Sequence, residues 1–116
     1  MKHNTPLPLD VTRAASTFAA LGSEQRLHVL RILVRAGPEG LTIGELGLRS
    51  GVTGSTLTHH MKILAAAGLV DQKRRGRQII CIGVDFARIE DIATFLMKEC
   101  CADSAVMHGA EGSHHG

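Results

Sequence analysis

The sequence lacks the large aromatic residues on which many protein cores are built. It contains no tryptophan, no tyrosine and only three phenylalanines, so its core must consist of Leu, Ile, Val and Ala, which favours small, closely packed helices. No apolar run is long enough to span a bilayer, and the first ten residues, MKHNTPLPLD, contain no apolar signal region. We therefore expect a protein without a membrane partner.

Cysteine is also scarce, with three residues of which Cys100 and Cys101 are adjacent. An odd number that includes an adjacent pair does not suit a disulfide framework, so a reducing, cytoplasmic location is expected. The chain has 116 residues, 44% of them hydrophobic, which is enough for one domain with a modest core that a dimer would enlarge. The net charge of +2 is too small to indicate what kind of partner the protein binds, so the positions of the basic residues are more informative.

Four helices are predicted before the chain changes character. They run from Asp10 to Leu21, from the Ser23 cap to AGPEG, from Thr42 to Gly51 with a capping box at Glu45, and from the Thr53 cap to Gly68. The short link RSGVTG between the third and fourth helices is typical of a helix-turn-helix.

A hairpin and a fifth helix complete the predicted fold. Two runs rich in β-formers, LVDQKRR and RQIICIGV, flank Gly76 and predict a β-hairpin with a basic tip. A helix capped by Asp85 follows, with an apolar stripe of Phe86, Ile89, Ile92, Ala93 and Leu96. The fold class is therefore mostly α with a small β-hairpin, a dimeric winged helix-turn-helix in the order α-α-α-α-β-β-α. It occupies residues 10–101, between a flexible lead-in (1–9) and a flexible tail (102–116).

The fourth helix and the hairpin carry side chains that are suited to DNA. A helix that enters the major groove needs small polar residues near its start, because bulky ones block the base edges. A cationic hairpin tip can reach the phosphates or the flanking minor groove. The candidate DNA-binding residues are Ser55, Thr56, Thr58, His59, His60 and Lys62 on the helix, and Lys73, Arg74, Arg75 and Arg77 on the hairpin.

Three stretches, LGSEQRLHVLRILVRAGPEGLTIGEL, GVTGSTLTHHMKILAAAGLV and RRGRQIICIG, resemble the ArsR/SmtB family of bacterial winged-helix repressors. The resemblance covers about residues 10–101. It implies a homodimer, formed through helices 1 and 5, that binds a palindromic double-stranded operator and is released by an effector. An enzyme is not expected, because His59 and His60 have no Ser, Asp or Cys partner at a suggestive spacing.

Members of this family bind effectors at different sites, and two of those sites lack their ligands here. One class uses a Cys-Val-Cys-type pair at the start of the third helix, where this chain has Thr42 and Gly44. A second class binds zinc or nickel between the fifth helices through four ligands. Of the four positions in this chain that approximately match those ligands, two have side chains that cannot bind the metal. Those matches are Asp85, Ala87, Lys98 and Cys101.

A third class carries a Cys-Cys pair at the end of the fifth helix, as this chain does at Cys100 and Cys101. The pair resembles that of the arsenite-sensing members, so the favoured effector is arsenite or antimonite, which seek thiolates. Three sulfurs are the usual full set for such an ion. The third could come from Cys81, from the partner subunit or from a small-molecule thiol.

Other effectors remain open on the sequence alone. The tail histidines could join the thiolates in a zinc or copper site, namely His108, His114 and His115. The thiols could instead sense oxidants or reactive sulfur with Cys81 as a partner, or the winged helix could have no small effector. Cys81, which lies between Ile80 and Ile82, can also be read as a small buried residue. No organic cofactor is expected.

Overall fold

The computed structural model describes residues 10–83 and 86–104. The helices are α1 (Val11–Leu21), α2 (Glu24–Ala36), α3 (Ile43–Ser50), α4 (Gly54–Ala66) and α5 (Phe86–Met97). The strands are β1 (Leu41–Thr42), β2 (Val70–Arg75) and β3 (Gln78–Gly83). This arrangement confirms the predicted, mostly α winged helix. Within the described ranges, no helix is both long and apolar enough to cross a membrane.

The first three helices begin where the sequence predicts. The side chains of Asp10 and Ser23 accept hydrogen bonds from backbone amides three residues on, at 2.8 and 3.2 Å. Thr42 and Glu45 form the predicted capping box, with reciprocal bonds of 3.1 and 2.9 Å. Each bond satisfies an amide that the first turn of a helix leaves without an intrahelical partner. Local capping chemistry therefore fixes the starts of these helices.

The sheet has three strands, whereas the sequence predicts a two-stranded hairpin. β1 pairs antiparallel with β3, which gives the strand order β1-β3-β2 and sets Leu41 opposite Cys81. A strand of two residues is too short to show the alternating pattern by which strands are recognised in a sequence. The extra strand connects the start of α3 to the hairpin, so the helix-turn-helix and the hairpin are joined through one sheet.

α4 turns its apolar side into the core. Leu57, Met61 and Leu64 are only 3%, 1% and 0% exposed, and their spacing of three and four residues places them on one face of the helix. They join a core whose fully buried members include Val29, Leu33, Leu46, Leu69 and Cys81. The opposite face of α4 is left to the solvent.

The adjacent cysteines lie beyond α5 rather than in its last turn. The helix ends at Met97, and the Cys100 amide donates a 2.9 Å hydrogen bond to the Met97 carbonyl three residues back. This tighter spacing continues through the next turns, so the chain leaves the α-helical path before it reaches Cys100. The predicted cap, Asp85, falls outside the described residues.

The backbone of Gly40 lies so close to β3 that a side chain there would clash, which provides a test of the packing. A Cβ added to Gly40 would overlap the carbonyl oxygen of Cys81 and lie 2.7 Å from Cγ1 of Ile82. Gly37 has nearly the same backbone conformation, with φ 79° against 70°, but open space at its Cβ position. We expect Gly37→Ala to lower the free energy of unfolding by about 1–3 kcal/mol through backbone strain. Gly40→Ala should cost about 1–3 kcal/mol more through overpacking.

Urea denaturation of the two variants measures this difference. Equal reductions of the unfolding free energy would contradict the close approach of Gly40 to β3.

Candidate nucleic-acid interface and thiol pair

The solvent-facing side of α4 carries five of the six helix residues predicted to contact DNA. Ser55, Thr56, Thr58, His59 and Lys62 are all exposed. They reach the surface because the apolar residues of the same helix occupy its buried side. The short hydroxyl side chains are concentrated near the helix start, so the first turns present little bulk to an approaching surface.

The start of α4 differs from the starts of α1, α2 and α3. Thr53 occupies the N-cap position, but its side chain forms no capping hydrogen bond, whereas the N-cap side chains of those three helices each form one. The adjacent Gly54 has a left-handed φ of 62°. The helix start therefore presents amides that no N-cap side chain satisfies, together with the positive end of the helix dipole. Such a helix start is suited to a phosphate.

The hairpin brings the four predicted cations together at its tip. Arg75 pairs with Gln78, so Gly76 and Arg77 form a two-residue turn in which Gly76 has φ 65°. The cations are all exposed, namely Lys73, Arg74, Arg75 and Arg77. Asp71 is the one acidic residue within the sequence of the hairpin strands, so the tip is strongly positive.

His60 is the exception, and its assignment to the DNA surface is corrected. It is 8% exposed, because it follows Leu57 by three residues and so shares the buried side of α4. Its Nε2 lies 2.9 Å from Oε1 of Gln25, and its Nδ1 lies 3.5 Å from Nη1 of Arg26. Burial, followed by the charges of Arg26 and His59, lowers the pKa of His60 below its ordinary range, which favours the neutral ring.

Cys100 and Cys101 form an exposed pair of free thiols whose sulfur atoms are 3.5 Å apart. The hydrogen bond with Cys101 and then the charge of Cys101 raise the pKa of Cys100, with a smaller contribution from desolvation. The two thiols therefore do not ionise independently. A cation that binds both sulfurs must displace the proton that the pair retains.

The sulfur separation suits chelation of a single ion. At a metal–sulfur distance of about 2.3 Å, two sulfurs 3.5 Å apart subtend an angle of roughly 100° at the ion, which is near tetrahedral. Over residues 10–83 and 86–104, no group of three or more His, Cys, Asp or Glu side chains is placed to hold a metal. His108, His114 and His115 lie outside those residues. Within the described residues, Cys100 and Cys101 therefore offer an ion two ligands and no third.

Cys81 stands apart from this pair. It is fully buried on β3, where the side-chain amide of Gln72 donates a long hydrogen bond of 3.8 Å to its sulfur. Burial raises the pKa of Cys81 by more than this hydrogen bond lowers it, so the thiol form is favoured. This placement agrees with the interpretation of Cys81 as a small buried residue and argues against its assignment as a third ligand.

Two apolar surfaces accompany these features. α1 and α5 contact each other and expose large apolar side chains, namely Val11, Phe18, Leu96 and Met97. Separately, an apolar groove of about 1030 Å³ runs along α2 to Ile89 of α5 and contains none of the predicted site residues.

Comparison with known proteins agrees with the helix-turn-helix prediction. Residues 21–73 match the family described as a helix-turn-helix domain. Over 63 residues the chain is 36% identical to the uncharacterized HTH-type transcriptional regulator YceK of Bacillus subtilis. This match covers 54% of the chain and spans 62% of the length of that relative.

Solved structures extend the likeness over most of the fold. An ArsR-like transcriptional regulator from Rhodococcus sp. RHA1 is 27% identical with a TM-score of 0.68, over 88% of this chain and 96% of that one. The homodimeric winged helix-turn-helix domain of Mb0332 from Mycobacterium bovis shares the fold at 21% identity and a TM-score of 0.59, over 90% of each chain. The resemblance to ArsR-family winged-helix regulators is thus confirmed, and the homologues are transcriptional regulators rather than enzymes.

The different exposure of the three thiols predicts their reactivity. In the folded protein at mildly alkaline pH, iodoacetamide should modify Cys100 and Cys101 at least about tenfold faster than Cys81, because alkylation needs an accessible thiolate. In urea the three rates should converge. Peptide mass spectrometry over a time course measures each rate, and rapid labelling of Cys81 in the folded protein would contradict its burial.

Proposed function

We propose that this chain, which has a helix-turn-helix domain on the fold of ArsR-type transcriptional regulators, is a DNA-binding repressor that a thiophilic effector releases from its operator. One observation carries the DNA-binding part, namely the solvent-facing polar side of α4 together with the cationic hairpin tip. The protein would act on DNA in the cytoplasm.

In this proposal, α4 and the hairpin contact different parts of the DNA. The start of α4 enters the major groove, where Ser55, Thr56 and Thr58 are short enough to let the backbone approach the base edges. Lys62 and the amides of the first turn contact phosphates. The hairpin cations lie along the neighbouring backbone or minor groove and supply affinity that does not depend on sequence.

A homodimer is the proposed assembly. The apolar side chains exposed on α1 and α5 would be buried between two copies, in agreement with the small core of a 116-residue chain. The Mycobacterium bovis neighbour is described as homodimeric. A two-fold dimer presents two copies of α4 in opposite directions, which requires a palindromic double-stranded operator.

The proposed effector is arsenite or antimonite, held by Cys100 and Cys101. Both are soft, thiolate-seeking centres, and the exposed sulfurs are spaced for one ion. The third sulfur would come from the partner subunit or from a small-molecule thiol, since Cys81 is buried. The pair directly follows α5, so an ion bound there would favour a second dimer arrangement with lower affinity for DNA. The ion and the DNA must then weaken each other's binding equally.

Removal of the hairpin cations tests the DNA interface. Arg74→Ala combined with Arg75→Ala should weaken binding to all duplexes. It should also lower the slope of log K against log salt by about one for each phosphate that is no longer neutralised. The control is Arg31→Ala combined with Arg35→Ala, which removes the same charge from the exposed side of α2. Fluorescence anisotropy over a salt series measures both; equal slopes for the two double variants would exclude the hairpin from the DNA interface.

Removal of the thiol pair tests the effector. Mobility-shift titrations on a duplex enriched from a random library by the wild type should show release by arsenite or antimonite. Cys100→Ser combined with Cys101→Ser should bind DNA normally and no longer respond to the ion, because serine hydroxyls are poor ligands for a soft ion. Cys81→Ala is the matched control and should keep the response.

Parallel titrations with zinc, copper and peroxide separate the remaining candidates. Release by zinc or copper alone would replace arsenite with a transition metal. Release by peroxide alone would indicate a redox switch, and release by none would indicate a winged helix without a small effector. Arsenite release that survives in the double serine variant would rule out the pair as the sensor.

A further inference from the structure

The buried side of α4 contains one polar residue whose position apolar packing does not explain. His60 lies among Leu57, Met61 and Leu64 on that side, where a leucine would be buried without loss of hydration. Burial of an imidazole costs free energy unless its nitrogens find partners. Both ring nitrogens of His60 have one, so this position supports a specific polar arrangement.

The partners fix the protonation state of the ring. The Arg26 guanidinium can only donate hydrogen bonds, so Nδ1 of His60, 3.5 Å from Nη1, must accept. Nε2 then carries the proton and donates it to Oε1 of Gln25 at 2.9 Å. The ring is therefore a neutral imidazole with one donor and one acceptor, in agreement with its lowered pKa.

Arg26 extends this arrangement to a third helix. Its Nε donates a 2.8 Å hydrogen bond to the Ala20 carbonyl, and its Nη2 lies 3.5 Å from the Ala19 carbonyl, near the end of α1. The last carbonyls of a helix carry the negative end of its dipole, so a cation there is favourable even though the Gly22 amide already donates to the Ala19 carbonyl at 3.1 Å. A continuous polar chain thus runs from the end of α1 through Arg26 on α2 to His60 on α4.

We propose that His60 is a positioning residue for DNA recognition, which orients α4 on α2 through its hydrogen bonds with Arg26 and Gln25. The apolar stripe sets which side of α4 is buried, but its contacts are non-directional and restrict small rotations about the helix axis less than the hydrogen bonds on the His60 ring do. Side-chain tips lie about 5–6 Å from a helix axis, so a rotation of roughly 20° would move the DNA-facing hydroxyls by about 2 Å. That shift exceeds the roughly 0.5 Å range of a good hydrogen bond.

This inference rests on the proposed DNA binding and concerns specificity rather than affinity for phosphates. His60→Leu keeps the volume and apolar character of the buried side but removes both hydrogen bonds. We expect its melting temperature to be equal to or above that of the wild type. Affinity for a scrambled duplex should fall far less than affinity for the selected one, because the hairpin cations are untouched and only the phosphate contacts of α4 are displaced. Affinity for the selected duplex should fall roughly tenfold or more, the scale of one mismatched base pair in a recognition site.

Two further variants separate positioning from packing. His60→Asn retains an acceptor near the Nδ1 position for Arg26 and should recover part of the specificity, although asparagine fills the core less well than leucine. Gln25→Ala changes an exposed residue, so it should fold normally, and it should reduce the specificity ratio because it removes the acceptor for Nε2. The control is His28→Leu, which changes an exposed histidine on α2, the helix that contains Gln25. This variant should leave the specificity ratio unchanged.

The measurement is the ratio of dissociation constants for scrambled and selected duplexes of equal length, with the melting temperature of each variant. A His60→Leu ratio within about twofold of the wild type would overturn the inference while the proposed function stands. If His60→Leu does not fold, an unchanged ratio for Gln25→Ala overturns it instead. A wild-type chain that enriches no sequence would overturn the proposed function, and this inference with it.

Discussion

The burial of one side of α4 is the constraint on which the rest of the structure depends. Leu57, Met61 and Leu64 are almost completely removed from water, and each such side chain contributes about 1.5–3 kcal/mol of hydrophobic stabilisation. Because a helix has one orientation that buries this stripe, the polar side is turned outward by the same packing that stabilises the fold.

Much of this fold can be predicted from the sequence because its signals are local. The side-chain caps of the first three helices, the helix-ending glycines and the basic turn at Gly76 each act within a few residues, and the structure bears them out. Thr53 occupies the predicted N-cap position of α4 without forming a capping hydrogen bond. β1 is not predicted from the sequence, because it forms by pairing with β3, about forty residues away. Two residues are also too few to show the alternating apolar pattern of a strand. The end of α5 before Cys100 differs from the prediction because a change from α-helix to tighter turns has no strong residue signature.

The candidate site shows the same limit at the level of single side chains. His59 and His60 look alike in sequence, but a step of one residue rotates a side chain by about 100° around a helix. That rotation separates an exposed residue from a buried one. The apolar periodicity of α4 held the signal, since His60 falls three residues after Leu57, but a histidine in an apolar stripe is easily assigned to the surface. Its partners on α2 lie thirty-four and thirty-five residues away and cannot be read from local sequence.

The polar chain through His60 also bears on how a signal at the end of α5 could reach α4. The proposed effector site follows α5, α5 contacts α1, and the end of α1 is held by Arg26. A change in the packing of α1 against α5 would therefore act on the same guanidinium that faces His60. Packed side chains and hydrogen-bond networks can both carry coupling between sites, and the bonds of Arg26 join the end of α1 to α4 through a network of the second kind. Recognition of bases and response to an ion would then depend on the same buried hydrogen bonds, and the coupling needs no contact between the ion and DNA.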